Sequence, residues 1–186
     1  MKKLNRIFNI PNILTLSRIL LLPVFIVGFY IKTKLGLLLS LFIFTICGIT
    51  DYLDGYIART YNQTTELGKI LDPMADKILV FTSILCILGF DMVSKWALIP
   101  SAINICRDLI ITSLRNTVST SGKSFKTLYI AKCKTAAQML SISVILLFNI
   151  ISLKEGIILG EILLWISSVI AIISGIKYFI NFLNNK

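Results

Sequence analysis

An all-α integral membrane protein is the fold class that the sequence predicts, and three observations carry that expectation. Apolar residues make up 56% of the 186 and charged residues only 15%, with a mean hydropathy of +0.86, outside the balance of a soluble domain. The apolar residues fall into stretches close to the ~20 residues that a helix needs to cross a ~30 Å hydrocarbon core. No stretch alternates in the ~10-residue blocks of an outer-membrane barrel, which leaves helices to satisfy the backbone in lipid.

Six transmembrane helices are expected, over residues 10–31, 35–57, 71–90, 93–114, 128–153 and 157–181. Pro11 opens the first, where a missing N–H is no loss, and the basic segment before it, Lys3 to Asn9, is expected as a short interfacial helix. A basic start followed by an apolar run also fits a signal peptide, but this run has no small-x-small cleavage site and is longer than such a core. The second span ends in, and the third begins from, the acidic segment DYLDGYIARTYNQTTELGKILDPMAD. The fourth carries Arg107 and Arg115, a polar loop with Lys123 and Lys126 follows, and Lys134 and Thr135 stand early in the fifth. No long linker and no period of 20–50 residues interrupts the chain, so residues 1–186 read as a single membrane domain.

Charge sets the expected orientation. With the N-terminus in the cytoplasm, one side collects Lys2, Lys3, Arg6, Arg18, Arg59, Lys69, Lys77, Arg107, Arg115, Lys123, Lys126, Lys132, Lys134, Lys177 and Lys186, and the other keeps Lys32, Lys34, Lys95 and Lys154. The positive-inside rule favours that arrangement, in a multi-pass protein of the cytoplasmic membrane. The net charge of +10 is therefore not a nucleic-acid footprint: basic residues gathered at one membrane face meet anionic lipid headgroups and phosphorylated substrates first.

Residue types exclude several chemistries. The chain has no histidine, so a Ser-His-Asp triad, His-ligated zinc or haem and an H-K-D phospholipase nucleophile are ruled out. There is no G-x-x-x-x-G-K-[ST] loop for a nucleotide triphosphate. Cys47, Cys86, Cys106 and Cys133 are scattered singly, without a C-x-x-C, and read as small apolar packing residues.

The acidic segment is what remains, and it is costly in such a setting. Ionisable groups at membrane depth line cavities and do chemistry. Asp51 and Asp54 are three apart and Ala58 lies four further on, so all three share one face near the end of the second helix. Gly68, Asp72 and Asp76 repeat at spacing four and share one face at the start of the third. Four carboxylates at one depth repel one another. Divalent cations relieve that repulsion: hard oxygen ligands suit Mg²⁺ or Mn²⁺, and bridging carboxylates suit two ions about 4 Å apart that clamp phosphate oxygens. Gly55, Ala58 and Gly68 let a bulky ligand approach the backbone, and Arg59 offers a fork to a diphosphate. Taken singly, Asp72 reads equally well as a helix-dipole partner and the glycines as packing residues; the shared face and depth of all eight positions favour a site.

The pattern D-x2-D-G-x2-A-R-x8-G-x3-D-x3-D, filled by Asp51, Asp54, Gly55, Ala58, Arg59, Gly68, Asp72 and Asp76, resembles the signature of the CDP-alcohol phosphotransferase family. The resemblance implies a six-span fold with a polar active-site cavity facing the cytoplasm. It implies one metal on Asp51, Asp54 and Asp72, a second on Asp51, Asp72 and Asp76, and Asp76 as base. Gly55, Arg59 and Thr65 correspond to CDP-contacting positions, as do Asn12 and Thr15 of the Pro-Asn-x-x-Thr that opens the first span; Asn12 and Thr15 also fit a cap and a backbone-bonding hydroxyl.

Within the family, NIPNILTLSRILLLPVF, ICRDLIITSLR and AKCKTAAQM are similar to the bacterial phosphatidylglycerophosphate synthase branch, with Asp108 where the usual member has Glu. That branch implies CDP-diacylglycerol and glycerol 3-phosphate as substrates, membrane lipids as surroundings and a homodimer. A dianionic acceptor in a membrane-facing pocket needs fixed cations and hydroxyls, for which Arg107, Arg115, Lys134 and Thr135 are the candidates. Two other readings stay open: another acceptor (phosphatidylglycerol in a cardiolipin synthase, inositol phosphate or serine), and a cation transporter. A transporter favours carboxylates near mid-membrane and often inverted repeats, neither of which this chain displays.

Overall fold

The computed structural model describes residues 10–60, 66–120 and 129–184; within them only the backbone is described for residues 10–11, 52–60, 66–70, 72–73, 116–120 and 183–184. The protein is all-α, with six long helices among the described residues: α1 (Ile10–Tyr30), α2 (Lys34–Thr60), α3 (Glu66–Gly89), α4 (Leu98–Thr120), α5 (Tyr129–Ile151) and α6 (Lys154–Asn184). Five segments among the described residues are long and apolar enough to cross a membrane, Asn12–Tyr30, Lys34–Asp51, Lys95–Arg115, Tyr129–Ile151 and Lys154–Phe182, as expected of an integral membrane protein. The expected interfacial helix, Lys3 to Asn9, lies outside the described residues.

Several helices outrun their apolar stretches. α2 continues to Thr60 and α3 begins at Glu66, so the acidic segment is helical on both sides of a short connection. Polar residues can extend a helix beyond the hydrocarbon because the intrahelical hydrogen bonds do not depend on the side chains.

The chain forms two compact units, Met1–Phe90 and Asp91–Lys186. In the first, α1 packs on both α2 and α3. Its buried stripe runs Asn12, Thr15, Arg18, Leu22, Phe25 and Phe29, spacings of three and four that place them on one face. The polar members fill the first half of the helix and the apolar ones the second. Phe25, Phe29, Phe44 and Phe90 stack at centroid distances of 5.2, 6.4 and 5.6 Å along the apolar half. Gly28 and Gly36 let α1 and α2 meet: a Cβ at Gly28 would lie 2.6 Å from the carbonyl oxygen of Gly36 and overlap the Ser40 hydroxyl. That hydroxyl donates to the Phe25 carbonyl at 2.8 Å, a polar link of the sort that joins helices in lipid.

In the second unit α6 packs on α4 and α5 through a stripe of mostly small residues, including Gly156, Gly160, Ser167, Ala171 and Ser174. Ser141 donates to the Gly160 carbonyl at 2.8 Å, and a Cβ on Gly160 would press on Ile145. The Glu161 carboxylate accepts from the Ser94 backbone N–H at 2.5 Å and its hydroxyl at 2.7 Å, satisfying donors at the start of the 3₁₀ turn Lys95–Ala97 that leads into α4. Lys32, Asp91 and Ser152, at the α1–α2, α3–α4 and α5–α6 connections, have φ of 52°, 51° and 62°, the left-handed conformation that ends many helices.

Candidate active site

In the first unit the site is assembled on helix faces already fixed by packing. Asn12, Thr15 and Arg18 are 2%, 0% and 1% exposed, so three polar side chains occupy consecutive turns of a face otherwise used for apolar contact. The buried stripe of α2, Gly36, Ser40, Phe44 and Cys47, continues one turn on to Asp51. There the Arg18 guanidinium donates from Nη1 to Asp51 Oδ1 at 2.7 Å. The arginine side chain is 1% exposed and the carboxylate 39%; the cation is enclosed between helices while the anion reaches an open surface.

The backbone of α2 stays helical through Asp54, Gly55, Ala58 and Arg59, and that of α3 through Gly68, Asp72 and Asp76. The spacings of three and four therefore become successive turns of real helices. Asp76 is half-buried beside Ala75 and Leu79, both 1% exposed. The side chains of Asp54, Gly55, Ala58, Arg59, Gly68 and Asp72, and all of Thr65, lie outside the described residues.

The donor chemistry at the described positions suits a hard divalent cation. Of the signature carboxylates, Asp51 and Asp76 have described side chains, and both are oxygen donors. Asp51 commits Oδ1 to Arg18, while Oδ2 has no hydrogen-bond partner among the described residues. A carboxylate with one oxygen held by a hydrogen bond is the usual state of a metal ligand oriented from its outer side.

The second unit holds a separate polar cluster. Arg107, on α4, donates from Nη1 to Asp108 Oδ1 at 3.1 Å and from Nη2 to the Ser174 hydroxyl of α6 at 2.8 Å, and its guanidinium carbon lies 5.6 Å from the centre of the Tyr178 ring. Lys134, on α5 and 0% exposed, donates to Asp108 Oδ2 at 2.5 Å and to Gln138 Oε1 at 2.5 Å. Asp108 thus bridges the two cations Arg107 and Lys134, both expected from the sequence in an acceptor pocket. Gln138 is 1% exposed and its Nε2 has no partner among the described residues; donation from Lys134 fixes which end of the amide faces the lysine. Thr135 donates back to the Ala131 carbonyl at 3.2 Å, and Arg115 stands exposed on α4. The structure therefore brings together Arg107 and Lys134 and does not bring Arg115 or Thr135 into their network.

Sequence reading passed over Arg18, Gln138, Ser174 and Tyr178 as site residues and treated Asp108 only as a departure from a pattern. Arg18 had a signal: an arginine inside an apolar span, one turn beyond Thr15, is expensive unless it has a buried role. Ser174 and Tyr178 had none, since they meet Arg107 only when α6 packs on α4.

Comparison with known proteins finds a family and close sequence relatives. The family model described as CDP-alcohol phosphatidyltransferase matches residues 8–173. The chain is 39% identical over 175 residues to a Rickettsia felis protein and 40% identical over 175 residues to one from Rickettsia bellii, in each case covering 92% of this chain and 93% of the relative. It is also 39% identical over 173 residues to a Haemophilus influenzae protein, covering 92% of this chain and 91% of the relative. All three relatives are named CDP-diacylglycerol–glycerol-3-phosphate 3-phosphatidyltransferase. With its aspartate signature borne on α2 and α3 and the family match running through both units, the chain belongs to the CDP-alcohol phosphatidyltransferase family.

Proposed function

We propose that this protein transfers the phosphatidyl group of CDP-diacylglycerol to sn-glycerol 3-phosphate, giving phosphatidylglycerophosphate and CMP. The observation that carries the reading is the complete eight-position signature on α2 and α3, with Asp51 at the end of a buried stripe and held by Arg18. The names of the relatives support the acceptor.

Two divalent cations, Mg²⁺ or Mn²⁺, would be held by Asp51, Asp54, Asp72 and Asp76, and when bound would offset the charge that grows on the CMP leaving group. Asp76 takes the proton of the primary hydroxyl of glycerol 3-phosphate. The oxygen attacks the β-phosphorus in line, a new P–O bond forms, and the bond to the bridging oxygen of CMP breaks. Arg59, Thr65, Asn12 and Thr15 hold the CDP moiety, and Gly55, Ala58 and Gly68 leave it room. Positioning supplies much of the rate in such transfers.

Arg107 and Lys134 receive the acceptor phosphate, with Arg115 and Thr135 as further candidates. Loss of a charge-assisted contact costs about 1.5–3 kcal/mol, or roughly one to two decades in affinity. Arg107→Ala should therefore raise the KM for glycerol 3-phosphate by that much with CDP-diacylglycerol binding almost unchanged. The reading extends to one functional domain over residues 1–186, a homodimer and a site on the cytoplasmic side of the cytoplasmic membrane.

The test is CMP release by purified protein from CDP-diacylglycerol, with glycerol 3-phosphate, phosphatidylglycerol, inositol phosphate and serine as competing acceptors. Preference for glycerol 3-phosphate is expected. Preference for phosphatidylglycerol would make the protein a cardiolipin synthase, and no CMP release with any acceptor would overturn the enzymatic reading.

A further inference from the structure

We infer that Arg18 is a positioning residue for the metal ligand Asp51: its guanidinium holds one carboxylate oxygen so that the other is presented to a divalent cation. The inference rests on the proposed metal site and adds a residue to it that neither the aspartate signature nor the charge count assigns.

Three observations support the role. Nη1 of Arg18 donates to Asp51 Oδ1 at 2.7 Å, whereas Oδ2 has no hydrogen-bond partner among the described residues. The arginine is 1% exposed and the carboxylate 39%, so the anchor is enclosed and the ligand is open. Arg18 also stands on the buried stripe of α1, next to Thr15 at 0% exposure, where packing fixes its long side chain at a known entropy cost. A pair whose sole function was to join α1 to α2 would gain nothing from half-exposing its anion. Arginine suits this role because its planar fork sets a direction for the bond that the ammonium of a lysine does not.

Partners that orient a ligating group from behind typically affect metal affinity ten- to a hundredfold. Charge alone predicts the opposite effect, since removing the cation beside Asp51 leaves a more negative site that attracts Mn²⁺ more strongly. The two mechanisms predict changes of opposite sign, which makes the experiment decisive.

Mn²⁺ binding should be measured directly, by titration of the purified protein followed by electron paramagnetic resonance of the free ion, without substrates. The proteins are the unaltered chain, Arg18→Met, which removes both charge and fork, and Arg18→Lys, which keeps the charge alone. Positioning predicts binding weakened roughly ten- to a hundredfold in Arg18→Met and measurably weakened in Arg18→Lys. Unchanged or tighter binding in Arg18→Met, or wild-type binding in Arg18→Lys, overturns the inference while leaving the metal reading intact. Should Arg18→Met fail to fold, the lysine variant decides alone. If the unaltered chain binds no Mn²⁺, the metal reading itself falls and this inference falls with it.

Discussion

Lys134 and Asp108 face one another across α5 and α4 at 2.5 Å, with the lysine side chain 0% and the aspartate 13% exposed. The aspartate also accepts from Arg107 at 3.1 Å, so two cations in the second unit share one anion. Removing that anion takes a carboxylate away from a buried ammonium that also donates to Gln138.

Asp108→Ala is therefore expected to destabilise the protein by about 3–5 kcal/mol, the typical cost of breaking a buried ion pair by removing one partner. Lys134→Met should cost less, because Asp108 keeps Arg107 and is not wholly enclosed. The double variant should recover much of the loss seen in Asp108→Ala, and a coupling energy near zero in a double-mutant cycle would contradict the buried pair. Thermal unfolding in detergent measures all four corners.

If the proposed site is right, Asp76→Asn should abolish CMP release while keeping much of the CDP-lipid affinity, because Asp51, Asp54 and Asp72 would remain for one metal. On the proposed two-metal site Asp51→Asn would touch the ligand set of both ions and should weaken binding as well as turnover. EDTA should stop the reaction, with Mg²⁺ or Mn²⁺ restoring it. A near-normal rate in Asp76→Asn would remove it as the base.

Gly28 and Gly89 are both helical glycines, yet alanine should act oppositely at the two. A Cβ at Gly28 meets the backbone carbonyl of Gly36 at 2.6 Å, while one at Gly89 has nothing within 4 Å. Gly28→Ala should push α1 from α2 and cost about 1–3 kcal/mol, as overpacking does. Gly89→Ala should be neutral or stabilising by up to about 1 kcal/mol, from helix propensity and a less flexible unfolded chain. Unfolding temperatures of the two variants check the contrast.

Orientation can be read by labelling single cysteines. Lys132 and Lys154 are both exposed and stand near opposite ends of the α5–α6 pair. Lys132→Cys should react only from the cytoplasm and Lys154→Cys only from outside if the bias of Lys and Arg sets the proposed orientation. Cys47 and Cys86 are buried and Cys106 is exposed, so Cys106 and the partly exposed Cys133 are the native thiols to replace first. The reverse labelling would refute both the topology and the use of a cytosolic acceptor.

Much of this protein is settled by local chemistry. Apolar stretches of spanning length commit the backbone to helices because nothing in lipid can replace an intrahelical bond. The intervals between Asp51, Asp54, Asp72 and Asp76 specify helix faces because the helical period is fixed. Both could therefore be read along the chain, together with the family. Partner choice could not. Arg18 counts as one more basic residue until α1 packs on α2 and brings Asp51 within 2.7 Å. Lys134 and Arg107 look like waiting cations until Asp108 is found between them, whereas Arg115, eight residues from Arg107, remains exposed. Sequence spacing determines what lies along one helix, but which charge neutralises which is decided across helices, where an enclosed cation must find whatever anion the packing leaves within reach.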